Sequence, residues 1–120
     1  MIKITDDTVR EGLTALVKEF GEDFVYSKGL TNSCLYVRNG EPDCIVGKFL
    51  AAQGVPLERL KAADDSIYGT PASELLTQLE REGVLTASDG AYDVLCGVQF
   101  RQDQYHTWGV AVSEALSNID

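Results

Sequence analysis

Apolar residues recur along most of this 120-residue chain at a helical period. Val9, Leu13, Leu16, Val17 and Phe20 fall three or four residues apart, so their spacing predicts an amphipathic helix with one buried stripe. Thr5 or Asp6 stands ahead of it as a cap, since a side-chain oxygen there accepts from the orphan amides of a first turn, and Gly21 stops it. Before it, Ile2 and Ile4 alternate as a brief edge strand. After it the pattern changes. Phe24, Val25 and Tyr26 predict a strand over 23–27, followed by a polar loop over 28–33 and a second strand over 34–37 closed by the turn pair Asn39-Gly40. Two strands alone are marginal, so this hairpin must lie against helices.

Pro42 and Asp43 then open a helix predicted over 44–53 and ended by Gly54. Ile45, Val46, Phe49, Leu50 and Ala52 cover much of its circumference, the mark of a central, buried helix. Val55-Pro56 restarts the chain into a short helix holding Leu57 and Leu60, and 64–69 reads as a connector. Thr70-Pro71 is a further start, a capping hydroxyl before a proline at the first helical position; Leu75, Leu76 and Leu79 point inward and Gly83 terminates. Residues 86–90 read as a turn. Asp89 caps a helix that runs to about Tyr105 and carries Val94, Leu95, Val98 and Phe100. Thr107 caps a last helix whose stripe is Trp108, Ala111, Val112, Ala115 and Leu116, with the Trp108 indole N–H in need of an acceptor. The expected architecture is mainly α, five or six short helices with a small β-hairpin, in a single domain over 1–120 without repeats or linkers.

Hydrophobic residues at 44% and charged residues at 24% are ordinary for a globular chain and exclude wholesale disorder. No apolar run is long enough to span a membrane, and the first residues lack the apolar stretch of a secretory signal, so a cytoplasmic protein is expected. Charge is the outlier: 19 acidic residues against ten basic ones give −9. Such a surface repels phosphate backbones and anionic lipid heads, which disfavours nucleic-acid and membrane partners. The carboxylates are scattered, as on a solubility surface. A sharper alternative is a DNA-mimic inhibitor of a nucleic-acid-binding protein, which requires carboxylates aligned in rows on one face.

Candidate chemistry is sparse. Cys34, Cys44, Cys96 and the lone His106 have the ligand types of a zinc site, but nine residues separate Cys34 from Cys44 and Cys96 from His106, where paired ligands stand two to four apart. Buried apolar cysteines and a surface histidine fit better, and no metal or other cofactor is expected. Cys44, at a predicted helix start, is the one thiol placed for a lowered pKa, yet it lacks a base nearby in sequence. Asp89 with Asp93, or Glu80 with Glu82, form carboxylate pairs of a solvated face rather than of a pocket that would split their pKa values. Glycine-rich phosphate loops are absent. Residues 75–86 with the turn that follows resemble the recognition helix and wing of a winged-helix regulator, but Arg81 is its only cation against Glu74, Glu80 and Glu82. Gln99, Gln102 and Asp103 share one helix face and either hydrogen-bond into a partner or tie a neighbouring loop and helix cap together.

The runs Cys-Leu-Tyr-Val at 34–37, Gly-Glu-Pro-Asp-Cys-Ile-Val-Gly at 40–47, Gln-Phe-Arg-Gln-Asp at 99–103 and Thr-Trp-Gly at 107–109, taken together, resemble a group of small uncharacterised proteins of actinobacterial phages and their hosts. The resemblance extends from Phe24 to Leu116. It carries over no catalytic residue and implies an accessory gene product of the kind that binds a host protein. The function expected is therefore a non-enzymatic acidic protein-binding module that modulates a host factor, with a host or phage protein as partner and a homo-oligomer left open.

Overall fold

In a computed structural model the chain is described over residues 1–26, 35–65 and 70–119. In chain order the elements are β1 (Ile2–Ile4), α1 (Asp6–Phe20), β2 (Val37–Arg38), β3 (Glu41–Pro42), α2 (Ile45–Ala52), α3 (Leu57–Asp64), α4 (Ala72–Arg81), β4 (Leu85–Ala87), α5 (Asp89–Asp103) and α6 (Trp108–Leu116). The architecture is mainly α, six helices among the described residues with one small hairpin, and adds a parallel pair of strands.

That pair joins the start of the sequence to residues 85–87. β1 and β4 run parallel with Ile2 opposite Leu85 and Ile4 opposite Ala87, each strand leading straight into a long helix. Thr5 caps α1 in a reciprocal box with Thr8, and Ser88 caps α5 by accepting from the Ala91 N–H. The Ser88 hydroxyl also donates to Asp6 at 2.6 Å, so the first turns of α1 and α5 are tied together. Two predictions are corrected here. Residues 86 and 87 belong to a strand rather than a turn, and the cap is Ser88 with Asp89 already helical. The strand was hidden because only β1, far off in sequence, completes its ladder.

The hairpin also sits elsewhere than predicted. Asn39 and Gly40, both with positive φ (53° and 80°), make the tight turn, but the paired residues are Val37 with Pro42 and Arg38 with Glu41. The strand predicted over 23–27 does not form over 23–26, and Ser27 lies outside the described residues. There the backbone carbonyls of Glu22 and Phe24 accept from Gly109 and Trp108, completing the start of α6. The Phe24 ring packs edge-on against Trp108, with centroids 4.5 Å apart, and Phe20 joins them. Aromatic packing and helix capping override the strand preference of Phe-Val-Tyr. The loop at 28–33 and the residues 66–69 of the predicted connector lie outside the described residues.

Helix boundaries otherwise follow the pattern within a residue or two. α4 is capped at Pro71 rather than Thr70, because the Thr70 hydroxyl donates to the Ala63 carbonyl at the end of α3. α5 ends at Asp103, two residues before Tyr105. The core holds Trp108, Tyr36, Phe49, Leu50, Leu76 and Leu95, each nearly inaccessible. Phe100 departs from the predicted stripe and is 66% exposed. Trp108 is the expected anchor, but its indole N–H has no acceptor among the described residues.

Candidate functional site

The polar residues singled out on α5 point inward, at the first turn of α2. Ile45 and Val46 are buried, and their amides are among the four that a helix start leaves without intrahelical partners. Gln102 Oε1 accepts from the Ile45 N–H at 2.8 Å and Gln99 Oε1 from the Val46 N–H at 3.4 Å. The Gly47 N–H donates to Cys44 Sγ at 3.4 Å, so Cys44 is the helix cap and is wholly buried. Gln102 is itself fully buried and its amide donates to Asp103 Oδ1 at 2.9 Å. This first turn is saturated by side chains, and α5 is locked to α2 across the core.

A second polar cluster holds the hairpin. The Tyr26 hydroxyl donates to Asp43 Oδ2, and Arg38 Nε reaches the same oxygen at 3.0 Å. Hydrogen bonds to Asp43 and then Tyr26 hold the Arg38 guanidinium above even its ordinary pKa. Arg38 Nη2 is buried without a hydrogen-bond partner among the described residues. Asp64, at the end of α3, accepts from the backbone N–H groups of Tyr36 at 2.9 Å and Val37 at 3.0 Å. Burial pushes its carboxyl above the usual carboxylate range and the charges of Asp65 and Asp43 add to this, against the pull of the two N–H donors. The first turn of α2 lies hard on the residue before β2, since a Cβ on Gly47 would collide with the Tyr36 carbonyl oxygen. Sequence reasoning missed Asp64, whose partners lie 27 and 28 residues away.

The remaining candidates are dispersed. Cys96 is half-buried on α5, where burial raises its thiol pKa against a hydrogen bond from Tyr92, the opposite of what activates a nucleophile. His106 is exposed at the start of α6, and Cys34 lies outside the described residues. Among the described residues, no three His, Cys, Asp or Glu side chains come together as a metal-binding group. β4 passes directly into α5, so no hairpin follows α4 in the position of a wing. Glu80 accepts from the Ala87 N–H at 2.9 Å, and Glu82 pairs with Arg59 at 2.6 Å. These carboxylates, too, have structural partners.

The charge divides by depth. No described Asp or Glu is buried. Asp6, Asp43, Asp64 and Asp103 are half-buried, and each accepts a hydrogen bond that ties two elements or neighbours together. The other described carboxylates are exposed. Three of these, Glu22, Asp23 and Glu114, line an open groove of about 550 Å³ between α1 and α6, with Val17, Val112 and Leu116 among its apolar lining. No helix among the described residues is long and apolar enough to cross a membrane. Compared with protein-family models, with curated proteins and with solved structures, the chain matches none.

Proposed function

We propose that this chain is a non-enzymatic, acidic protein-binding module, acting as an accessory protein that modulates a host factor in the manner implied by its resemblance to small proteins of actinobacterial phages. The observation that carries this reading is the groove between α1 and α6. It offers apolar surface at Val17 and at Val110, which is 46% exposed, beside carboxylates that hold no part of the core. A pocket of mixed apolar and charged lining at the surface suits a protein partner, whose side chains fill the floor while its polar rim meets the charges.

The test is capture from an actinobacterial lysate by the tagged chain, read by mass spectrometry against an acidic control protein of equal charge. One enriched host protein, lost when Val110 is replaced by serine, is the expected result. Equal recovery with the control refutes the reading. An enriched protein that binds nucleic acid and is displaced by DNA favours DNA mimicry over other inhibition.

A further inference from the structure

We propose that the groove between α1 and α6 receives one face of a cationic amphipathic helix from a partner protein. This rests on the binding-module reading and adds the chemistry of the partner. Glu22 and Asp23 form the turn after α1, and that turn is fixed by two backbone bonds, Gly109 N–H to the Glu22 carbonyl at 3.0 Å and Trp108 N–H to the Phe24 carbonyl at 2.8 Å. A Cβ at position 109 would lie 2.8 Å from the Glu22 carbonyl oxygen, so glycine there lets α6 close on the turn. The two carboxylates are thus presented by a pinned backbone, and neither makes an ion pair among the described residues. On the facing wall Glu114 is engaged on one oxygen by Arg101 at 3.0 Å and keeps 53% of its side chain exposed.

Among the described residues no lysine or arginine lines the groove; Arg101 reaches Glu114 from outside the lining, and the charges left unpaired are those of Glu22 and Asp23. Carboxylates beside low-dielectric walls favour a cation and repel a phosphate or an acidic peptide. The apolar surface at Val17 and Val110 asks for aliphatic groups from the same ligand, which a small hydrated cation does not supply. The walls then select the ligand's backbone. α1 and α6 are helices whose amides and carbonyls are internally bonded, so an extended peptide finds no strand edge to extend. A helix brings its own backbone bonds and needs only a row of side chains at i, i+3 or i+4 and i+7 to enter. A volume of about 550 Å³ holds a few such side chains and not a whole helix, which leaves the flanking cations beside Glu22, Asp23 and Glu114.

The probe is a synthetic 18-residue helix, on the order of 27 Å long, with leucines on one face and lysines and arginines beside them. It is titrated into the isotope-labelled full chain, alongside a version with glutamates for the cations and a version of equal positive charge with alanines for the leucines. The expected result is saturable binding of the first peptide alone, with amide shifts at Val17, Val110 and Ser113. Binding should weaken about tenfold in the E22Q/D23N double variant and fall further as salt rises. Equal binding of either control peptide, shifts that map elsewhere, displacement by spermidine at matching concentration, or no effect of the double variant would overturn the proposal. If the peptide fails while the V110S-sensitive lysate capture persists, the partner chemistry is wrong and the binding module stands; loss of both removes the module itself.

Discussion

Replacing Gln102 by methionine removes one acceptor from the interior while nearly preserving side-chain length. In the native chain its Oε1 stands 2.8 Å from the Ile45 amide, and both residues are fully buried. Methionine offers only a weak acceptor, so the Ile45 N–H is left dry and unpaired at a cost of about 1–3 kcal/mol. Release of Asp103 from the Gln102 amide adds little, because the half-buried carboxylate regains water. The expected loss is about 2 kcal/mol at the centre of that range. Urea unfolding at constant m-value measures it. Hydrogen exchange gives the local reading, with the Ile45 amide opening on the order of tenfold or more faster than in the native chain. Gln99→Met should cost less, since its bond to Val46 is 3.4 Å long. A Gln102→Met variant within about 0.5 kcal/mol of wild type, as at ordinary surface sites, with unchanged exchange at Ile45, would refute the assignment of Gln102 to the fold.

Phe49, 1% exposed on the central helix α2, should cost about 3–5 kcal/mol on truncation to alanine, and a loss below about 1 kcal/mol in urea would remove α2 from the core. Tyr105 holds a left-handed backbone (φ 64°) where a glycine ordinarily ends the helix, its N–H bonding Gln102 and that of His106 bonding Arg101, so Tyr105→Gly should raise stability by about 1 kcal/mol; a fall in Tm would show that ring contacts outweigh the backbone strain. Asp64 has a folded pKa above its unfolded value of about 3.9, so its stabilising share is complete below that pH and is lost as pH rises through the folded value. The stability advantage of wild type over Asp64→Asn should therefore shrink as pH climbs out of the acid range, and a widening gap in urea titrations would contradict the sign. Gly47→Ala drives a methyl into the Tyr36 carbonyl and should destabilise by more than about 1 kcal/mol; a neutral effect would mean the hairpin yields freely.

What the sequence made legible was set by how local the cause is. The stripe from Val9 to Phe20, the cap at Thr107 and the turn at Asn39-Gly40 depend on neighbours within one or two turns, and each lies where its pattern puts it. β4 was unreadable because its three residues form a strand only against β1. Residues 24–26 misled because their β-favouring side chains are engaged by tertiary contacts, Phe24 with Trp108 and Tyr26 with Asp43. The shared face of Gln99 and Gln102 was visible from spacing, but what they meet is 53 and 57 residues away. Nothing in the pattern foretold the groove, since its lining is gathered from α1, the turn after it and α6.

The division of the carboxylates bears on how a partner is to be sought. Every half-buried acid among the described residues is an aspartate, and every described glutamate is exposed. Asp is short and rigid, so it reaches a backbone N–H or a nearby hydroxyl with little rotamer entropy lost, as Asp64 does at Tyr36 and Val37 and Asp6 does at Ser88. Glu is longer, loses more on ordering and gains most by remaining in water. Replacing Asp6, Asp43 or Asp103 by its amide would therefore weaken the fold and any binding together, and such variants cannot separate the two. Glu22 and Asp23 are exposed and bear no structural side-chain bond among the described residues, so neutralising them changes the field of the groove while the backbone bonds that pin their turn stay in place. A binding defect confined to those two positions, at unchanged stability, would assign the negative charge beside α6 to recognition rather than to solubility.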